Sequence, residues 1–121
     1  MVVEDQEDMR YFTVTVLKAY GYDAIQAANA SEALAICESR RAAIHLILTD
    51  VMMPHTSGRE LVEKLAVARP EIKALFMSGY AGAVVASHAG LEEGAHFIQQ
   101  PFSPEELAAK LRKALASPAA S

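Results

Sequence analysis

Apolar and polar positions alternate along the chain in two rhythms. Short runs of consecutive apolar residues are typical of buried strands, and a recurrence every three or four positions is typical of one helix face. The first rhythm predicts five strands, at residues 1–3, 22–27, 44–49, 72–77 and 95–99. The second predicts five intervening helices, at about residues 9–20, 30–39, 58–69, 83–92 and 104–115.

Residue types at the segment boundaries support this division. Asn29, Ser57 and Ser103 each precede a predicted helix and have Glu three positions later, the pattern of a capping box. Pro104 fits the first position of the last helix. Gly21 is suited to end the first helix.

Strands that alternate with helices and are apolar on both faces predict an α/β fold with a parallel, fully covered sheet. Right-handed crossovers favour a doubly wound, flavodoxin-like (βα)5 arrangement, with strand order 2-1-3-4-5. We expect one domain at residues 1–116 and a tail or linker at 117–121. Because the sequence starts inside the first apolar run, we expect the first strand to be short.

Composition narrows the function classes. The 121 residues are 52% hydrophobic and carry a net charge of −4, with the basic residues scattered, so nucleic-acid binding is not expected. The single cysteine, Cys37, fits a reducing compartment. No apolar stretch approaches the roughly 20 residues of a membrane span. These features predict a cytoplasmic domain without membrane contact.

Three carboxylates follow apolar runs that we expect to be neighbouring strands. Asp50 ends the third run, and Glu4 and Asp5 end the first. The carboxyl ends of parallel strands share one edge of the sheet, which is where such folds bind ligands. Adjacent negative charges repel one another unless a cation offsets them, and carboxylates are ligands for Mg²⁺. An aspartate beside such a metal can be a nucleophile toward a phosphoryl group.

A hydroxyl group is expected at the same edge. Ser78 directly follows the fourth apolar run and precedes Gly79. At a strand end next to Asp50, its hydroxyl could bind phosphoryl oxygens.

The chain resembles the receiver domains of two-component response regulators, and the resemblance spans nearly the whole sequence. It rests on four motifs that occur in order: Val2-Val3-Glu4-Asp5, Leu48-Thr49-Asp50-Val51-Met52-Met53-Pro54 with Gly58, Met77-Ser78-Gly79-Tyr80 and Phe97-Ile98-Gln99-Gln100-Pro101-Phe102. The third motif and the segment after Gln100 look most like receivers of hybrid sensor histidine kinases.

The resemblance implies a role for each motif. Asp50 would accept a phosphoryl group from a phosphohistidine of a histidine kinase or histidine phosphotransfer domain. Glu4, Asp5, Asp50 and the backbone carbonyl of Met52 would bind Mg²⁺. Ser78 would be the switch hydroxyl.

The resemblance also implies how the signal leaves the domain. Phe97 would be the switch aromatic, and output would pass through the helix predicted at 83–92, the fifth strand and the last helix. Chemistry would be limited to self-phosphorylation and slow autodephosphorylation, and any kinase domain would lie outside this sequence. Whether the domain is a monomer or a weak dimer stays open.

One position departs from the family pattern. Gln100 stands where receivers have a lysine before proline, and we expect no other Lys or Arg to replace it. A charged donor contributes about 1.5–3 kcal/mol to a hydrogen bond, against about 0.5–1.5 for a neutral amide. Gln100 therefore predicts a weaker switch with phosphorylation retained, and the Gln100-Pro101 bond could still be cis.

Two other function classes remain open. The first is a pseudo-receiver, a constitutive protein-interaction module that lost its switch through Gln100. The second is a small flavin or phosphatase domain of flavodoxin-like fold. The second is disfavoured because the acidic loop at residues 4–8 lacks the Gly and hydroxyl residues that cradle phosphate.

Overall fold

The computed structural model describes residues 1–39, 44–53, 56–78 and 96–116. The helix predicted at 83–92 and the tail predicted at 117–121 lie outside the described residues. The described helices are α1 (Glu7–Ala19), α2 (Ala30–Ser39), α3 (Gly58–Ala68) and α4 (Pro104–Leu115). The strands are β1 (Val2–Val3), β2 (Gln26–Ala27), β3 (Leu46–Asp50), β4 (Met52–Met53), β5 (Thr56–Ser57), β6 (Lys73–Ser78) and β7 (Phe97–Gln99).

The main sheet has five parallel strands in the order β2-β1-β3-β6-β7. Counted along the chain within this sheet, the order is 2-1-3-4-5, which confirms the predicted fold class. β1 lies between β2 and β3, with Val3 opposite Thr49 in the register. Asp50 is opposite Met77 on the other side of β3. The carboxyl ends of β1, β3 and β6 therefore lie side by side.

The core has two halves, one on each face of the sheet. Alternate residues of β3 point to opposite faces, so Ile47 packs with Leu61 and Leu65 of α3. Leu48 packs on the other face with the buried residues of α1 and α4. Helices on both faces explain why the middle residues of the central strands β3 and β6 are apolar whichever face they point to. The buried thiol of Cys37 belongs to the first half of the core.

Several element limits differ from the sequence-based predictions, as β2, β3 and the segment after β3 show. β2 comprises only Gln26–Ala27, because it pairs solely with the two residues of β1. β3 extends to Asp50, so this aspartate is part of the strand and is held by pairing with β6. An antiparallel hairpin of β4 and β5, with Met52 opposite Ser57, was not predicted and separates β3 from α3.

The predicted helix caps are confirmed, with one variation. Asn29 Oδ1 accepts from the backbone N–H of Glu32 at 2.8 Å, and Ser103 and Glu106 form a complete capping box. Ser57 Oγ accepts from the backbone N–H of Glu60 at 3.1 Å. The carboxylate of Glu60 accepts from Thr56 Oγ1 at 3.0 Å, which ties the start of α3 to the hairpin.

Within the described ranges, no helix combines the length and apolar character that a membrane crossing requires.

Candidate functional site

The three predicted carboxylates meet at the carboxyl edge of the sheet. One oxygen each from Glu4, Asp5 and Asp50 lies within 4.8 Å of the others. Glu4 and Asp5 follow β1, and Asp50 is the last residue of the neighbouring strand β3. Glu4 is buried, Asp50 is half-buried and Asp5 is exposed. Exposure to solvent therefore increases across the cluster from Glu4 through Asp50 to Asp5.

Glu4 is the most deeply buried of the three carboxylates. Its side chain is only 2% exposed. Burial, a hydrogen bond shared with Asp50 and the negative charge of Asp50 together raise the pKa of Glu4 to about 8. Metal-free Glu4 is consequently protonated near neutral pH.

The carboxylate oxygens of Glu4 receive few hydrogen bonds. Its Oε1 accepts a long hydrogen bond of 3.4 Å from the backbone N–H of Gln6. Its Oε2 is buried and receives no hydrogen bond from the described part of the protein. Three clustered carboxylates with one orphaned buried oxygen suit a hard divalent cation such as Mg²⁺. The residues present therefore fit the metal that the sequence predicted.

The backbone around Asp50 is fixed from two sides. The backbone N–H of Val51 donates to Met77 O at 2.9 Å, and that of Gly58 donates to Val51 O at 2.8 Å. A Cβ atom on Gly58 would lie 2.3 Å from the carbonyl oxygen of Asp50. Only glycine allows the start of α3 to approach Asp50 this closely.

Ser78 is the last residue of β6 and is 1% exposed. It directly follows Met77, which pairs with Asp50 of β3. Its carbonyl oxygen accepts from the backbone N–H of Gln100 at 2.6 Å. Backbone pairing thus anchors the predicted switch hydroxyl at the strand end next to Asp50.

Gln100 follows β7, and the Gln100-Pro101 peptide bond is cis, as the family resemblance suggested. The side-chain amide of Gln100 donates to Met77 Sδ, with the two atoms 3.9 Å apart. Sulfur is a weak acceptor, so this contact holds the amide only loosely. Gln100 brings a neutral donor to the loop where receivers carry a lysine.

The other two predicted site residues have defined backbone positions. Phe97 is the first residue of β7, opposite Phe76, and its half-buried ring packs against the first half of the core. Met52 is the first residue of β4, two positions after Asp50, and pairs with Ser57. Pairing between β4 and β5 therefore fixes the backbone of Met52 two residues beyond Asp50.

Arg10 is a site neighbour that the sequence reasoning missed. Its Nη1 donates to the carbonyl oxygen of Glu4 at 2.8 Å, so a guanidinium does lie at the carboxyl end of β1. The sequence signal that could have found this contact is the position of Arg10 near the start of the first helix, from which a long side chain can reach back to the end of β1. Arg10 contacts the Glu4 backbone and does not occupy the position of Gln100 in the loop between β7 and α4.

Comparison with known proteins matches residues 1–112 to the response regulator receiver domain. The sensor kinase CckA of Brucella abortus is 33% identical over 115 residues, which are 95% of this chain and 12% of the kinase. The phosphate regulon transcriptional regulatory protein PhoB of Pseudomonas aeruginosa is 35% identical over 119 residues, with coverage of 95% and 50%. The chain thus spans half or less of these two relatives.

Solved structures show the same likeness. The receiver domain from the hybrid histidine kinase CckA superposes with a TM-score of 0.77 at 31% identity, covering 94% of this chain and 95% of that one. NtrX from Brucella abortus gives a TM-score of 0.82 at 28% identity, covering 94% of this chain and 25% of NtrX. Sequence motifs, strand order, acidic cluster and comparisons agree, and the chain belongs to the response regulator receiver domain family.

Proposed function

We propose that this domain is a phosphoacceptor in a two-component phosphorelay and that Asp50 receives the phosphoryl group. The observation that carries the proposal is the meeting of Glu4, Asp5 and Asp50 at the carboxyl edge of a receiver-family sheet. Asp50 is half-buried, so its carboxylate is reachable, and its backbone is held by β6 and by Gly58. The donor would be a phosphohistidine of a histidine kinase or phosphotransfer domain in the cytoplasm.

The transfer is a displacement at phosphorus. A carboxylate oxygen of Asp50 forms the new P–O bond, and the P–N bond to the donor imidazole breaks, with its electron pair returning to the ring nitrogen. The product is an aspartyl phosphate. The hydroxyl of Ser78, one register position beyond the partner of Asp50, would then donate to a phosphoryl oxygen.

Glu4, Asp5, Asp50 and the carbonyl of Met52 are the residues that would hold Mg²⁺. When bound, Mg²⁺ offsets negative charge on the transferred group. The fit rests on the clustered carboxylates and on the orphaned Oε2 of Glu4. The protein's own contribution is to hold three carboxylates close together. Asp50 is the last residue of β3, and Glu4 and Asp5 directly follow the neighbouring strand β1.

Output is proposed to pass through the helix predicted at 83–92, β7 and α4, as a shift between two states. Phe97 on β7 would be the aromatic that responds. Gln100 limits this switch, because a neutral amide stabilises a phosphoryl group less than a lysine does. We therefore expect phosphorylation to persist and the conformational response to be weak.

Intact-mass spectrometry tests the phosphoacceptor role. The protein is incubated with acetyl phosphate and Mg²⁺ beside an Asp50→Asn variant. We expect the parent protein to gain the mass of one phosphoryl group and the variant to gain none. Absence of the adduct in the parent protein would overturn the proposal.

The second candidate function is a pseudo-receiver that acts as a constitutive interaction module. It is favoured by Gln100, whose amide contacts Met77 sulfur and brings no positive charge to the loop between β7 and α4. A Gln100→Lys variant separates the two candidates. If the weak switch is due to Gln100, the variant should show a larger phosphorylation-dependent change in its NMR amide spectrum than the parent. Equal changes in both proteins would show that Gln100 does not limit the response.

A further inference from the structure

We propose that Arg10 is a positioning residue that fixes the peptide group between Glu4 and Asp5 for cation binding. The proposal rests on the proposed function and adds one residue to the same site. Arg10 lies in α1, where its backbone N–H donates to Gln6 O at 2.9 Å. Its side chain turns back toward the sheet and joins three elements: α1, the end of β1 and β2.

Two hydrogen bonds define this contact. Nη1 of Arg10 donates to the carbonyl oxygen of Glu4 at 2.8 Å, and Nε donates to Gln26 Oε1 at 3.3 Å. The Glu4 carbonyl belongs to the peptide group that joins Glu4 to Asp5. A charge-assisted bond to this carbonyl therefore sets the orientation of a peptide between two of the three clustered carboxylate residues.

The peptide group on the other side of Glu4 is held as well. The backbone N–H of Glu4 donates to Ala27 O of β2 at 3.1 Å. β2 therefore fixes the peptide before Glu4, and Arg10 fixes the peptide after it. The planar guanidinium suits this task because its donors have a fixed relative geometry, which a lysine ammonium lacks.

The charge of Arg10 acts in the opposite direction. A positive group beside the cluster repels a divalent cation, although salt screens exposed charges over about 8 Å at physiological ionic strength. Loss of positioning weakens cation binding, and loss of charge strengthens it. The Arg10→Lys variant keeps the charge and loses the fork of donors, whereas Arg10→Met loses both.

Isothermal titration of the metal-free protein with Mg²⁺ separates these effects. We expect the dissociation constant of Arg10→Met to rise about tenfold, as for other partners that orient metal ligands, and that of Arg10→Lys to rise less. Lys18→Met, in the last turn of the same helix, is the matched control and should bind like the parent. If Arg10→Lys matches the parent and Arg10→Met binds more tightly, Arg10 acts only through its charge and the proposal fails.

A second readout excludes a merely structural role. The rate of Asp50 phosphorylation by acetyl phosphate is measured against Mg²⁺ concentration, well below the unfolding temperature of each variant. We expect Arg10→Met to need more Mg²⁺ for half-maximal rate while its maximal rate stays within about twofold of the parent. Lower stability with unchanged Mg²⁺ affinity would overturn the positioning role alone. Failure of the parent protein to bind Mg²⁺ would overturn the proposed function and this proposal together.

Discussion

At the scale of single residues, the acidic cluster could be predicted from the sequence, but its protonation could not. Strand-end positions were enough to bring Glu4, Asp5 and Asp50 together. The raised pKa of Glu4 depends on its 2% exposure and on the nearby carboxylate of Asp50, and both are results of packing. The contact of Arg10 with the Glu4 carbonyl could not be predicted either, because it depends on how α1 packs against the sheet.

Gly58 provides the residue-scale prediction. A Gly58→Ala variant places a methyl group where it would lie 2.3 Å from the Asp50 carbonyl oxygen, so α3 or the end of β3 must move. We expect a loss of about 1–3 kcal/mol in the free energy of unfolding, as in other overpacked sites. We also expect slower phosphorylation of Asp50. Urea denaturation and the acetyl phosphate reaction measure the two effects.

Gly21→Ala is the matched control for this variant. Gly21 has a φ of +88° and open space around it, so alanine there strains the backbone far from the acidic cluster. This control should lose stability without a change in phosphorylation rate under conditions where it is fully folded. If Gly58→Ala phosphorylates as fast as the control, the close approach of α3 to Asp50 has no role in the reaction.

At the scale of elements, local signals predicted the helices well. Asn29, Ser57 and Ser103 all cap helices as their spacing indicated. Strand limits were less accurate, since the length of β2 is set by its partner β1. The β4–β5 hairpin was missed because its two-residue strands have no periodicity to detect.

The capping box of α4 gives the element-scale prediction. Ser103 Oγ accepts from the Glu106 backbone N–H at 3.1 Å, and Glu106 Oε1 accepts from the Ser103 backbone N–H at 3.3 Å. Ser103→Ala removes the first bond and weakens the second, so we expect a loss of about 0.5–2 kcal/mol in urea denaturation. Ser31→Ala, at an exposed position of α2, is the control and should lose less. Equal losses would show that the box does not stabilise α4.

At the scale of the whole molecule, alternating strands and helices with right-handed crossovers predict a doubly wound sheet, and five βα units suit the strand order 2-1-3-4-5. The order explains how residues far apart in sequence come together at one edge of the sheet. It also links the site to global stability, because Glu4 directly follows β1, a strand that lies between two others.

The stability of the metal-free protein should therefore depend on pH. The pKa of Glu4 is about 8 in the folded protein, against 4.5 as its ordinary value, so the folded state binds more protons between these limits. The contribution of Glu4 to the free energy of unfolding is then fully present below pH 4.5, is lost as the pH rises to about 8, and changes no further above that pH. We expect a loss of roughly 1–3 kcal/mol across this window, measured by urea denaturation in a chelator.

Two comparisons assign that loss to Glu4. Glu4→Gln cannot ionise, so the part of the pH dependence due to this group should disappear. Saturating Mg²⁺ should restore the stability of the parent protein above pH 8, because the cation offsets the charge of the ionised carboxylates. The same pH slope in Glu4→Gln and the parent protein would show that Glu4 is not the group that titrates.

The most direct test of the central claim is to locate the phosphoryl group on the chain. The protein is treated with acetyl phosphate and Mg²⁺, the acyl phosphate is reduced with borohydride, and peptides are sequenced by mass spectrometry. Reduction converts a phosphorylated aspartate to homoserine, so the modified residue carries a permanent mark. We predict homoserine at position 50 and at no other aspartate. A mark on Asp5 or another aspartate, or no mark at all, would contradict the assignment of Asp50 as the phosphoacceptor.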